Sequence, residues 1–209
     1  MRSESPKERM EAVPGEGNDA VGVPGGERHW YVAIVGNNSE RLCGERLEAR
    51  VADRPPEARA YEVYVPTQEE TRVLPSGRRK RVERVVFRAM VFIRCTERTR
   101  RREIVYLPYI KRFMVDITGG TSGGPRPVAV IPDIQMARLR RMLDGSEEPV
   151  LIDTRPLPLG ARVRINGGKL NGLEGHVLET ADGVYFVIRV DLLGCAKMRV
   201  ARDLLDLID

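Results

Sequence analysis

Residues Gly160 to Val177 read GARVRINGGKLNGLEGHV, a brief apolar/basic alternation followed by four glycines within nine positions. In ARVRI, Val163 and Ile165 fall on one side and Arg162 and Arg164 on the other, the two-residue period of a strand that covers a core on one face. Gly167 and Gly168 permit a tight turn, Asn171-Gly172 is a reversal signal, and Gly175 allows close strand approach. LEGHVLET, VYFVIRVDL and KMRVA continue the alternation downstream. Four short strands joined by tight turns expose edges unless they close, so the segment predicts a small β-barrel. A phosphate-binding loop is the competing interpretation. It fails because Gly168-Lys169 is followed by Leu170 and a strand, where a Walker loop needs Ser or Thr and a helix.

Upstream, the chain reads as a layered α+β domain. HWYVAIV has the β-branched and aromatic content of an interior strand, and ordered structure is expected to begin at Trp30. ERLCGERLEARVAD places Leu42 or Cys43, Leu47 and Val51 at helical spacing, with Ser39 as the expected N-cap and Gly44 weakening the helix interior. AYEVYVP predicts a strand. Two more, Thr71 to Leu74 and Lys80 to Val86, flank the Pro75-Ser76-Gly77 turn, and Met90 to Cys95 reads as central. A short helix over RTRRREIVYL, a strand at Lys111 to Ile117, a mobile loop TGGTSGGPRP and a helix from Asp133 to Leu143 complete this half. The proline-bearing stretch DGSEEPVLIDTRPLPLG reads as a stiffened linker. The expected organisation is a disordered leader at 1–28, an α+β domain at 29–145, a linker at 146–158 and the barrel at 159–209, with a weak helical signal at Asp203 to Leu207.

Charge is unevenly distributed. The 209-residue chain carries 35 Lys and Arg against 30 Asp and Glu, yet residues 72–102 hold twelve basic residues against Glu83 and Glu97. Such a field attracts phosphate backbone and weakens with salt. Arg78, Arg79, Lys80, Arg81 and Arg84 are the candidate nucleic-acid contacts, although nothing beside them reads a particular base. A solvated hairpin that only confers solubility is the plain alternative.

Enzymatic chemistry is not indicated. There are two histidines: His29 borders the leader and His176 lies in a barrel strand, neither in spacing with a metal-ligand set. Cys43 and Cys95 fall at buried positions and Cys195 follows a turn glycine, where it is expected to be more exposed. No cofactor or metal site is expected. No apolar run reaches the length of a membrane span, and the scattered cysteines suit a reduced, cytoplasmic setting.

The segment LGARVRINGGKLNGLEGHVLE resembles the KOW motif, and WYVAIV, YEVYVPTQEE, LPSGRRKRVERVVF and MVFIRC stand in the order of the N-terminal (NGN) domain of the NusG family. Over residues 29 to 209 the chain therefore resembles a NusG-like transcription elongation or antitermination factor. VYLPYIKRFMVD and RPVAVIPDIQMARLRRML are similar to the UpxY-type antiterminators of polysaccharide operons. The resemblance implies an NGN antiparallel sheet with packed helices joined to an SH3-like KOW barrel. It further implies attachment to the clamp helices of RNA polymerase, with Tyr31, Phe87, Met90 and Phe113 as contact candidates. Phe87 and Tyr31 read equally well as core, and Phe113 with Met114 is similarly open. Phe87-Arg88-Ala89-Met90 stands where the family commonly has aromatic-Pro-Gly-Tyr, so the turn geometry departs there. Upstream or non-template DNA and nascent RNA are the implied nucleic acids, and a ribosomal protein or termination factor the implied partner of the barrel surface around Gly167, Gly168, Lys169, Gly172 and Gly175. A ribosome-associated RNA-binding protein and a non-catalytic scaffold are the alternatives.

Overall fold

A computed structural model describes residues 26–117 and 125–208. Residues 1–25 of the expected leader, and 118–124 of the glycine-rich loop expected to be mobile, lie outside the described residues.

Strand β1 (Arg28–Ile34) starts two residues before Trp30, and α1 (Glu40–Ala49) follows. β2 (Tyr61–Tyr64), the hairpin strands β3 (Thr67–Val73) and β4 (Arg79–Val85), and β5 (Met90–Thr96) come next. With β6 (Arg112–Phe113), the first sheet runs β2-β5-β1-β6, and the short β7 (Val130–Ile131) also pairs with β1. β1 and β5 are antiparallel over their full lengths, from Arg28 opposite Thr96 to Ile34 opposite Met90. The strand expected at Lys111 to Ile117 is reduced to β6 and an isolated Val115–Val128 bridge, because the other residues find no continuous partner.

Between β5 and β6, the short helix α2 (Glu97–Thr99) widens into a π-helical turn at Arg100–Ile104, closed by Val105 N–H donating to Arg100 C=O.

Alternation along β1 and β5 sorts their side chains into two cores. Tyr31, Ala33, Val91, Ile93 and Cys95 pack with Cys43 and Leu47 of α1. Trp30, Val32 and Phe92 face the other way, towards α3 (Asp133–Gly145). Gly44, a helix-weakening residue, has a packing reason: a Cβ there would lie 2.8 Å from a Val65 methyl. Ser39 occupies the N-cap of α1 but makes no side-chain capping bond. The carboxylate of the buried Glu40 instead accepts from the backbone N–H groups of Asn38 and Ala89.

In the C-terminal half, β9 (Arg162–Ile165), β10 (Glu174–Thr180), β11 (Gly183–Val190) and β12 (Gly194–Arg199) are the four strands expected from the alternation. Two more flank them. β8 (Leu151–Asp153) comes from the stretch read as linker and pairs with β12. β13 (Leu205–Leu207) stands, after a single 3-10 turn, where the weak helical signal lay, and it pairs with β9. The sheet order is β13-β9-β10-β11-β12-β8. β8 and β13 are not hydrogen-bonded to each other, so six strands form a roll whose ends are not paired. The rest of the linker crosses the roll's outer face, where Leu157 and Leu159 pack on Leu178, Val187 and Cys195. Cys195 is consequently buried, not exposed as its turn position suggested.

Helix α3 joins the halves. Its Met136, Leu139, Met142 and Leu143 belong to one apolar cluster that extends from Trp30 and Phe87 to Ile165, Leu173, Ile188 and Met198. Gln135 closes a reciprocal pair with Asp191, its amide donating at 2.7 Å and its carbonyl accepting the Asp191 N–H at 2.7 Å. Arg138 reaches Glu174 at 3.4 Å.

Candidate nucleic-acid interface

The β3–β4 hairpin forms its own two-stranded sheet, in register from Thr67 opposite Val85 to Val73 opposite Arg79. Leu74 N–H donates to Arg78 C=O and Gly77 turns with φ +76°, a conformation that favours glycine. The base of the hairpin is held on two sides. Arg41 of α1 reaches Glu83 at 2.9 Å. On the other side Gln68, buried, donates to Glu148 C=O and accepts from Val150 N–H.

These anchors divide the predicted basic residues by role. Arg84 donates to Val150 C=O and pairs with Glu70 at 3.0 Å, so it fastens the hairpin base. Arg72 also donates to Glu70, whose carboxyl is held below the usual range, first by that hydrogen bond. Arg81 lies 4.0 Å from Glu69. Arg78, Arg79 and Lys80 are exposed and have no acidic partner among the described residues, leaving three consecutive cations at the tip. Fixed at the base and uncompensated at the end, the hairpin can present positive charge to a phosphate chain without first breaking an ion pair.

The four residues considered for a protein contact do not share a surface. Tyr31 and Phe113 lie in the core beside α1, edge to face at 6.2 Å. Arg100, itself buried, places its guanidinium 5.5 Å from the Tyr31 ring centroid and 5.0 Å from that of Phe113, and donates twice to Glu97 at 2.8 and 2.6 Å. Burial, with Glu97 next, raises the Tyr31 hydroxyl to about 12. Phe87 and Met90 are on the other side, towards α3. Phe87 is 5% exposed and packs on Phe92 at 5.4 Å, whereas Met90 is half-buried. Alternation makes this separation unavoidable, since Tyr31 and Trp30 point to opposite faces of one strand.

The departure at Arg88-Ala89 is accommodated by the backbone. Ala89 takes φ +59°, the left-handed region a glycine would occupy, at a cost of roughly 1–2 kcal/mol. Its C=O accepts from Val35 N–H and its N–H donates to Glu40. Glu40, Gln68 and Gln135 escape a reading of the sequence, because each looks like an ordinary surface residue until its distant partner is known.

In the roll, Gly167, Gly168 and Gly172 all have positive φ, at +129°, +60° and +83°. Gly175 is a close-approach site: a Cβ there would stand 2.5 Å from Val187 C=O and 2.6 Å from the Phe186 ring. Lys169 is exposed, 3.8 Å from Glu147. His176 is half-buried, and burial followed by Arg162, Arg189 and Arg138 lowers its pKa. Cys95 is pushed up to about 12 by burial, which makes it a poor nucleophile. Among the described residues no cluster of His, Cys, Asp and Glu could hold a metal ion, and no helix is long and apolar enough to cross a membrane.

Residues 28–140 match the family model described as transcription termination factor nusG. The chain is 30% identical over 159 residues to the transcription termination/antitermination protein NusG of Halalkalibacterium halodurans, an alignment covering 73% of this chain and 82% of that protein. It is 28% identical over 176 residues to the protein of that name from Staphylococcus carnosus, covering 81% and 89%. A solved structure, "Domain interaction in Thermotoga maritima NusG", aligns with 88% of this chain and 98% of its own at 15% identity and a TM-score of 0.47. With more than half of its length matched by the family model and relatives aligned through both halves, the chain belongs to the NusG family of transcription factors.

Proposed function

We propose that this protein binds elongating RNA polymerase and suppresses pausing or termination, with no chemistry of its own. The observation that carries the reading is the hairpin, whose unpaired Arg78, Arg79 and Lys80 stand at the end of a sheet in a chain related to termination/antitermination proteins. The tip contacts the phosphate backbone of upstream or non-template DNA, and Arg81 adds to it. Residues 29–145 form the polymerase-binding unit and 159–209 the KOW domain, a surface for a ribosomal protein or termination factor around Lys169.

We place the polymerase contact at the Phe87–Met90 turn, where the hairpin returns to the sheet. Met90 is partly accessible and packs against the apolar cluster that contains the buried Phe87. Tyr31 and Phe113 hold the sheet together from its other face. Catalysis remains with the polymerase, and the factor shifts the balance between paused and productive states through binding energy. Action at polysaccharide operons rests on the likeness of VYLPYIKRFMVD and RPVAVIPDIQMARLRRML, and the setting is the cytoplasm.

Affinity capture from nuclease-treated native lysate tests the reading. The expected result is polymerase retained by the wild-type chain and lost on Met90→Asp, with the circular dichroism of the variant unchanged. Capture of ribosomes without polymerase would replace this reading with an RNA-binding role in translation. Mapping the polymerase-bound transcripts tests the operon assignment.

A further inference from the structure

We propose that the α2 segment carries a second nucleic-acid site, for single strands, in which the Tyr106 ring stacks on a base and Arg98 and Arg102 contact the flanking phosphates. Tyr106 is 80% exposed, more than any other large apolar side chain described. Arg98, Arg102 and Tyr106 follow one another at four-residue intervals, the spacing that aligns side chains along one helical face. The inward side of the same segment is filled by Thr99, Arg100 and Ile104, all buried, so the stripe faces solvent.

The charges on this stripe are uncompensated. Glu97 is engaged by Arg100 at 2.6 Å and Arg101 at 2.7 Å, whereas Arg98 and Arg102 have no ion pair among the described residues. Glu103 is the one other carboxylate on the segment, and it too is exposed. The backbone is a π-helical turn, a distortion that recurs at functional sites. Arg100 and Ile104 are buried on its inner side, while Arg98, Arg102 and Tyr106 are exposed.

An exposed ring at the end of a row of two guanidinium groups suits a strand that alternates bases with phosphates, because stacking accepts any base and cations follow the backbone. A protein hot spot would need the ring to sit among other apolar groups excluded from water. Here the other two members of the row are cations, and the adjacent Val105, Leu107 and Tyr109 are partly buried in the core.

The site is separate from the hairpin. The hairpin returns to the sheet at Met90 and the α2 segment leaves it at Thr96, about 20 Å away along β5. It also needs no polymerase, so it stands or falls independently of polymerase binding.

The test uses the full chain with Arg78, Arg79 and Lys80 replaced by alanine, so that hairpin contacts are absent, and fluorescently labelled 12-nucleotide single-stranded RNA and DNA probes over a salt series. In that background Tyr106→Ala should weaken single-strand binding at least about fivefold with the salt slope unchanged. Tyr106→Phe should retain it, since the ring face is what stacks. Arg98→Ala with Arg102→Ala should flatten the slope by about 1.4, two phosphates at about 0.7 each. Whichever probe responds to Tyr106→Ala identifies the strand. Absence of binding in the hairpin-deficient background, or equal affinity for Tyr106→Ala and wild-type Tyr106, overturns the proposal. Loss of polymerase capture by Tyr106→Ala with oligonucleotide binding unchanged would overturn it in favour of a protein contact.

Discussion

Glu97 and Arg100 show how two charges can serve an apolar sheet. Arg100 is buried between Tyr31 and Phe113, which is tolerable because Glu97 accepts two of its hydrogen bonds and the rings present their faces. The hydrogen bond from Arg100 is the first reason that Glu97 titrates at about 2 rather than 4.5. A carboxylate whose folded pKa is depressed contributes stability that is complete above its unfolded value and disappears as pH falls towards the folded one. Glu97→Gln should therefore be less stable at neutral pH, on the order of 1–3 kcal/mol for leaving Arg100 poorly paired. The gap to wild type should close between about pH 4.5 and 2. Urea denaturation across that range checks it, and a gap that stays constant would show that Glu97 does not stabilise the fold through its charge. Ala89 makes a different point, since its left-handed backbone would have been assigned to glycine, and the hydrogen bond to Glu40 helps hold it.

In the hairpin, one strand pair has two electrostatic characters. Its base is neutralised by Glu69, Glu70 and Glu83 against Arg81, Arg72, Arg84 and Arg41, and exposed pairs of this kind are individually weak. Only the tip keeps an excess. Replacing Arg78, Arg79 and Lys80 by alanine should reduce duplex DNA affinity and flatten its logarithmic salt dependence by up to about 2.7, roughly 0.9 for each phosphate no longer neutralised. Arg84→Ala should instead loosen the junction with Val150 and change the slope little. Fluorescence anisotropy at several salt concentrations separates the two, and an unaltered slope in the triple variant would mean that the tip does not touch phosphate.

The two halves share α3, so they should not unfold independently. Its apolar side chains are buried between the first sheet and the roll, and its polar ones fasten to Asp191 and Glu174. Trp30 is the single tryptophan and lies in the first sheet, which makes its fluorescence a local reporter of that half. Ile188→Ala, in the roll, should destabilise by about 2–5 kcal/mol and shift the Trp30 transition with it. A Trp30 transition that keeps its wild-type midpoint would show that α3 does not couple the halves.

Local signals are strong in this chain, and they determined much of its architecture. Alternation marked the strands of the roll, β-branched and aromatic runs marked those of the first sheet, and Pro75-Ser76-Gly77, Gly167, Gly168 and Gly172 marked turns; each depends on neighbours within a few residues. The sequence was less informative where meaning depends on a distant partner. Leu151 to Asp153 is a strand only because β12 has an edge to pair with, and Cys195 is buried only because Leu157 and Leu159 cross it. That the contact candidates Tyr31 and Phe87 lie on opposite faces of the sheet, and that Arg84 is engaged by Glu70 and Val150 C=O, likewise follows only from the folded chain. Periodicity is a property of the chain itself, whereas burial and charge compensation belong to pairs of segments that only folding brings together.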